Sequence, residues 1–167
     1  MIAVLGKQPP FRHRKSLVLQ FVQPALAGFT DGSVSTLAPI FATVFATHQT
    51  HAALLIGLAS ALGAGISMGF SEGLSDDGKI TGRGAPAMRA AIIGIATFIG
   101  GVLHTLPFML PSVQAALPVA CAVVGVELVA IAFVRYRFLN ANFAISMLQV
   151  VGGGALVFLA ASLIGAS

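Results

Sequence analysis

The chain has 167 residues, of which 57% are hydrophobic and 8% charged, with a mean hydropathy of +0.96; soluble domains carry roughly a quarter charged residues, so a water-soluble globular fold is excluded. The formal net charge of +4 does not point to nucleic acid, because such a binder needs basic residues interleaved with aromatics on a soluble face. The single Cys121, inside an apolar run, supports neither a disulfide framework nor a thiolate metal cluster.

At about 20 apolar residues per crossing helix, this length accommodates five spans and no separate soluble domain. The expected fold class is therefore an all-α integral membrane protein. Residues 1–16 read as a basic tail bearing Lys7, Arg12, Arg14 and Lys15. The tail is expected to be retained, since the apolar run after it is too long for a signal-peptide core and lacks a convincing cleavage site. Residues 17–167 then form the membrane domain, with spans drawn over Leu17 to Thr47, Ala52 to Leu74, Met88 to Leu110, Ala115 to Val134 and Phe143 to Ile164. This threading puts the tail, the loop Ser75 to Ala87 and the loop Arg135 to Asn142 on one side, and every Lys and Arg falls there once Arg89, at the start of the third span, is counted with Lys79 and Arg83 in the first loop region. The positive-inside rule makes the N-terminus cytoplasmic and, after five crossings, the C-terminus external, in the cell's inner (plasma) membrane.

On the first span, Asp31 lies about fourteen residues in, roughly 20 Å along the axis, near mid-membrane. An ionisable group there costs several kcal/mol unless it faces a partner or a wet path, so Asp31 is a functional candidate. Gln20, Gln23, Ala27, Asp31, Ser35, Ala38 and Ala42 recur at helical spacing and form one polar, small face, as a pathway wall would. Pro39 has no N–H for the carbonyl of Ser35, and Pro24 none for that of Gln20. A freed Ser35 carbonyl one turn from Asp31 adds an oxygen to a carboxylate, a set suited to a hard or borderline divalent cation. The competing reading is an aspartate merely hydrogen-bonded across a helix interface.

The second span carries Gly57, Ala61, Gly65, Gly69 and Gly73 at four-residue spacing, a stripe that lets another helix approach closely in lipid. Gly100 with Gly101, and Gly152 to Gly154, offer the same to neighbours. Met68 and Glu72 stand one turn apart near the cytoplasmic end. A methionine is more often a core filler, but beside a carboxylate its thioether becomes a filter favouring softer divalent ions over Mg2+. Glu72 is otherwise a hydrated carboxylate near the interface. On the third span His104 lies toward the outer side and reads as a helix-packing residue. Glu127, roughly 12 Å inside the cytoplasmic edge of the fourth span, is open to three roles: proton carrier, metal relay, or neutral group bonded to a neighbouring helix. His48 and His51, in an external turn, are solvated or receive released metal.

Gly69-Phe70-Ser71-Glu72-Gly73 matches G-x-S-x-G, but a nucleophile elbow needs a strand-to-helix turn and this copy lies within a helix. The histidines are also badly placed to serve it, so the chain is not expected to be an enzyme and no resident cofactor is expected.

Gly28-Phe29-Thr30-Asp31-Gly32-Ser33-Val34-Ser35-Thr36, together with Gly63-Ala64-Gly65-Ile66-Ser67-Met68-Gly69 followed by Glu72 and Ser75, resembles the vacuolar iron transporter family. Ser75 to Gly78 and His104 to Phe108 are similar to stretches in the membrane domain of its bacterial membrane-bound ferritin type members. The resemblance, which covers most of the chain from about Gln23, implies a five-span homodimer whose first helices line a path exporting Fe2+, or alternatively Mn2+, against inward protons. It makes Asp31 the pathway aspartate and Met68 the pathway methionine. Two departures stand out. Ser60 occupies the position of a glutamate found in some eukaryotic members, and Ser75 to Ala87 is too short for the Glu- and Met-rich cytoplasmic domain of many members. A di-iron domain ahead of the first span is also missing from this sequence, so metal capture is expected to fall to the membrane site or to a separate ferritin-like iron protein.

The expected metal site is thus Asp31, Ser35, Met68 and Glu72, with Glu127 as a possible proton relay, in a metal exporter of the cytoplasmic membrane. Expected partners are a second copy of the chain and lipid, with no nucleic acid. The alternative is a non-transporting scaffold or regulatory subunit derived from the same family.

Overall fold

The computed structural model describes residues 16–79 and 81–166; of the basic tail, all but Ser16 lies outside the described residues. These residues form helices and turns without a strand. Four helices have the length and apolarity to cross a membrane: α3 (Thr50–Gly73), α4 (Pro86–Leu103), α5 (Val113–Leu139) and α6 (Phe143–Gly165). The chain is therefore a multi-pass membrane protein.

The stretch drawn as the first span is broken. It comprises one wide turn (Val18–Val22), then α1 (Gln23–Ser35) and α2 (Leu37–Thr47), parted at Thr36. Two prolines account for both irregularities. Pro24 cannot donate to Gln20, and just before it the Gln23 amide reaches back five residues to the Val18 carbonyl. Pro39 cannot donate to Ser35, and the helix parts at the following residue, where the Thr36 amide bonds Val34 instead. The broken segment starts beside the α3–α4 loop, where Gln20 donates to the Gly82 carbonyl. It ends beside the α4–α5 turn, where His48 to His51 and Pro111 to Gln114 share a cleft of about 500 Å3.

α4 is the axis on which the rest packs. Along one side it meets the small-residue stripe of α3: a side chain added at Gly65 or Gly69 would run into the Gly94 or Ala90 carbonyl, and Ala61 lies against Gly101. Along the other, Gly28 and Gly32 of α1 lie directly on the Ile93 and Thr97 carbonyls, and Gly100 on that of Phe29. Glycines permit this backbone-to-backbone approach, the main source of helix association where lipid is as apolar as the protein. On α6 Gly154 meets Leu128 and Gly165 lies on the Ala42 carbonyl of α2, whereas Gly152 and Gly153 face open space in a single copy. The apolar core joins α2 to α3, α5 and α6 through Leu37, Ile40, Phe41, Val44, Ala53 and Phe108, with Phe41, Phe45 and Phe158 in mutual ring contact.

Two boundaries differ from the sequence reading. α4 ends at Leu103 and is followed by a tight turn, Leu106–Met109, instead of continuing to Leu110. α5 continues past Val134 to Leu139, so Arg135 and Arg137 belong to its last turns and not to a loop; Asn140, in the left-handed conformation, ends it.

Candidate functional site

Within α1, Gln23, Ala27 and Ser35 are exposed and Asp31 half-buried on the surface of the protomer, while Gly28, Gly32 and Ser33 are buried toward α4. The middle of the polar stripe, Gln23 to Ser35, is thus an outward face of a single copy, whereas Gln20 packs on the α3–α4 loop and Ala38 and Ala42 pack against the apolar core. Among the described residues the Asp31 carboxylate has neither an ion-pair nor a hydrogen-bond partner. Ser35 stands one turn on, at the last residue before the break.

Met68 is half-buried on α3. Glu72, one turn further, is not an open, hydrated carboxylate: its Oε1 accepts from Arg89 Nε and from Arg83 Nη2, each at 2.7 Å. Asp76 joins them, with Oδ1 3.2 Å from Arg89 Nη2 and Oδ2 3.4 Å from Arg83 Nη1. The side chain of Arg89 has 0% exposure. It also donates to the carbonyls of Gly84 and Asp76, so the guanidinium is bonded on all sides, as a buried charge requires. Partial burial pushes the Asp76 carboxyl up, but the Gly78 amide and the two guanidiniums outweigh that and hold it below its ordinary value. The loop between α3 and α4 is thereby folded around a cationic centre. Left-handed Gly78 and Gly84 turn the chain there, with Gly78 packed on the Gly84 carbonyl.

The four predicted metal ligands consequently fall into two places. Asp31 and Ser35 share the outward α1 face; Met68 and the arginine-bound Glu72 lie on α3. Among the described residues no three of His, Cys, Asp and Glu converge as a metal cluster would.

The structure brings together a third set that the sequence left scattered. His104, fully buried just after α4, places Nδ1 3.1 Å from Glu127 Oε2 and Nε2 2.8 Å from Thr36 Oγ1. Thr36 Oγ1 in turn donates to the Gly32 carbonyl at 2.8 Å. His104, read from the sequence as a helix-packing residue, is hydrogen-bonded across to α5 and to the break between α1 and α2: α4 stops at Leu103, and the ring lies against the middle of α5. Glu127 Oε1 and Ser33 Oγ, both buried, have no partner among the described residues. Sequence spacing could not reveal this triad, since its members are 68 and 23 residues apart. The only available signal was that His104, Glu127 and the break at Thr36 are each costly inside a membrane.

Residues 73–166 match the VIT family, the vacuolar iron transporters. No curated protein and no solved structure gives a match. The matched stretch runs from the end of α3 through α6 and includes Asp76, Arg89, His104 and Glu127; Asp31 and Met68 precede it. As the match extends over more than half of the sequence, the chain belongs to the VIT family, whose members carry metal ions across membranes.

Proposed function

We propose that the protein exports a divalent transition metal, Fe2+ or Mn2+, from the cytoplasm in exchange for protons, as a homodimer in the cytoplasmic membrane. In this reading the broken segment from Val18 to Thr47 is a fifth crossing, which supports a cytoplasmic N-terminus beside the Arg-bearing α3–α4 loop and an external C-terminus. The observation that carries the proposal is the Asp31 carboxylate, without a partner among the described residues, on an outward polar face of α1. A lone carboxylate against lipid is costly. The same face on a second copy would enclose it, supplying two carboxylates and the oxygens at Ser35 to a passing cation. Met68 is the soft ligand that biases the path toward Fe2+ and Mn2+.

Glu72 takes a different part from a free ligand at the cytoplasmic mouth: a cation approaching it must compete with Arg83 and Arg89. Glu127 serves the proton. Asp31 binds the cation when ionised and releases it when protonated from the outer side. The resemblance to ferritin-type members and the idea of a separate ferritin-like donor belong to the same proposal, resting on Ser75 to Gly78 and His104 to Phe108.

The test is uptake of Fe2+ and Mn2+ into proteoliposomes under a pH gradient. Asp31→Asn is expected to lower the rate at least about tenfold, since loss of even an outer-shell partner of a metal ligand costs about that much or more; transport at the parental rate would refute the proposal. The commitment of Glu72 to two arginines favours a second reading, a family member kept as a non-transporting scaffold, which predicts no uptake by the parental protein either.

A further inference from the structure

The Thr36–His104–Glu127 chain can be solved for its hydrogens. A carbonyl only accepts, so the 2.8 Å contact of Thr36 Oγ1 with the Gly32 carbonyl uses the single hydroxyl hydrogen. The 2.8 Å contact with His104 Nε2 must then be made by an Nε2–H donating to Oγ1. With one ring hydrogen placed on Nε2, the 3.1 Å contact between Nδ1 and Glu127 Oε2 needs one more. It is carried either as imidazolium against carboxylate or as imidazole against carboxylic acid, and both forms leave the pair neutral.

We propose that His104 and Glu127 together form a binding site for one exchangeable proton, and that Thr36 transmits its loss to the break between α1 and α2. When the shared proton leaves, Nδ1 and Oε2 would confront each other as two acceptors. The arrangement recovers only if the ring hydrogen moves from Nε2 to Nδ1, where it donates to the carboxylate. Nε2 becomes an acceptor and takes the Thr36 hydrogen, which turns away from the Gly32 carbonyl. One proton is released, no other atom is gained or lost, and the pair goes from neutral to a charge of minus one.

The tie closing the last turn of α1 is lost in the same step. At Thr36 that tie matters, because the Thr36 amide already bonds Val34 and not Gly32. The charge created is buried, with Glu127 Oε1 already lacking a partner, so the anionic state is costly unless a cation comes within reach. A site that gives up its proton only when a cation arrives ties the two movements together. This use of the site rests on the transport reading; the existence of the site does not.

No other charge reaches the pair from the described elements. α2, α6 and the turn Leu106–Met109 carry no titratable side chain, and on α1 Asp31 lies about 140° around the helix from Thr36. Glu72 of α3 and Arg89 of α4 are paired together at the α3–α4 loop, and His51 lines the cleft by the α4–α5 turn. On α5, Cys121 is exposed, and Arg135, Tyr136 and Arg137 occupy its final turns.

The test is a pH titration of the full chain in metal-free lipid nanodiscs, read from the ring-nitrogen resonances of His104 and the infrared band of a protonated carboxyl. One proton is expected to leave with transfer of the ring hydrogen from Nε2 to Nδ1. In Thr36→Val the proton affinity should change at least about tenfold, one pH unit, while Thr36→Ser restores the parental curve. Glu127→Gln should abolish the coupled step; should that variant fail to fold, Glu127→Asp must displace the curve. Ring signals that stay constant wherever the protein is folded, or that titrate alike in the Glu127 variant, overturn the site. Asp31→Asn separates the two proposals: loss of transport with an unchanged His104 titration supports both, and a titration without transport in the parental protein removes only the exporter.

Discussion

At the residue scale, the polar side chains divide by whether their neighbours satisfy them. Asp76 is the clearest satisfied case outside the membrane. Its carboxyl is held below the ordinary value of 3.8 by the Gly78 amide and by Arg89 and Arg83. A group whose native pKa is depressed stabilises the fold fully above its unfolded pKa and ceases to do so as pH falls through the native one. The protection of the Gly78 and Gly82 amides against hydrogen exchange, relative to an unstructured chain at the same pH, should therefore hold at neutral pH and be lost only once the pH drops below the ordinary carboxylate range, and Asp76→Asn should remove that acid-side change. A loop equally protected at all acid pH values would contradict this account. Asp31 is the opposite case, a carboxylate without a partner among the described residues, which is why it and not Glu72 carries the functional argument.

Individual helices show why some features could be read from sequence and others could not. The stripe Gly57, Ala61, Gly65, Gly69 and Gly73 repeats every four residues, a local pattern, and α4 packs along it as expected. The consequences of Pro24 and Pro39 were equally local, and the helix is irregular at both. What periodicity cannot give is the partner of a polar residue: Arg89 reads as a cytoplasmic loop charge and is the centre of a buried ion-pair group, and His104 reads as a packing residue without a named partner and sits against Glu127. Gly32 tests the element scale. Its backbone lies directly on the Thr97 carbonyl, so a methyl group there must push α1 off α4. Gly32→Ala is expected to cost about 3 kcal/mol, the upper part of the range for overpacking a tight interface, measured as a lowered unfolding midpoint in detergent. Gly82→Ala, where an added methyl meets nothing but a left-handed backbone, should cost about 1 kcal/mol. Equal losses would mean that the α1–α4 approach is not limiting.

For the whole molecule, one copy is a bundle that leaves the Gln23, Ala27, Asp31 and Ser35 face of α1 on the outside. If two copies close over it, Ser35→Cys in a background lacking Cys121 should form a disulfide between chains in native membranes, and the same change at Leu148, exposed on α6, should not. Cross-linking at Leu148 alone would relocate the contact between copies. The ion-pair group at the α3–α4 loop bears on how such a protein is made. Arg89 belongs to a helix that has to leave the insertion machinery and enter lipid, yet the carboxylate that neutralises it is on the preceding helix. Released alone, that guanidinium would lose its carboxylates and have to reach for the interface. Entry of the two helices as a hairpin would bring Arg89 into the membrane already matched by Glu72.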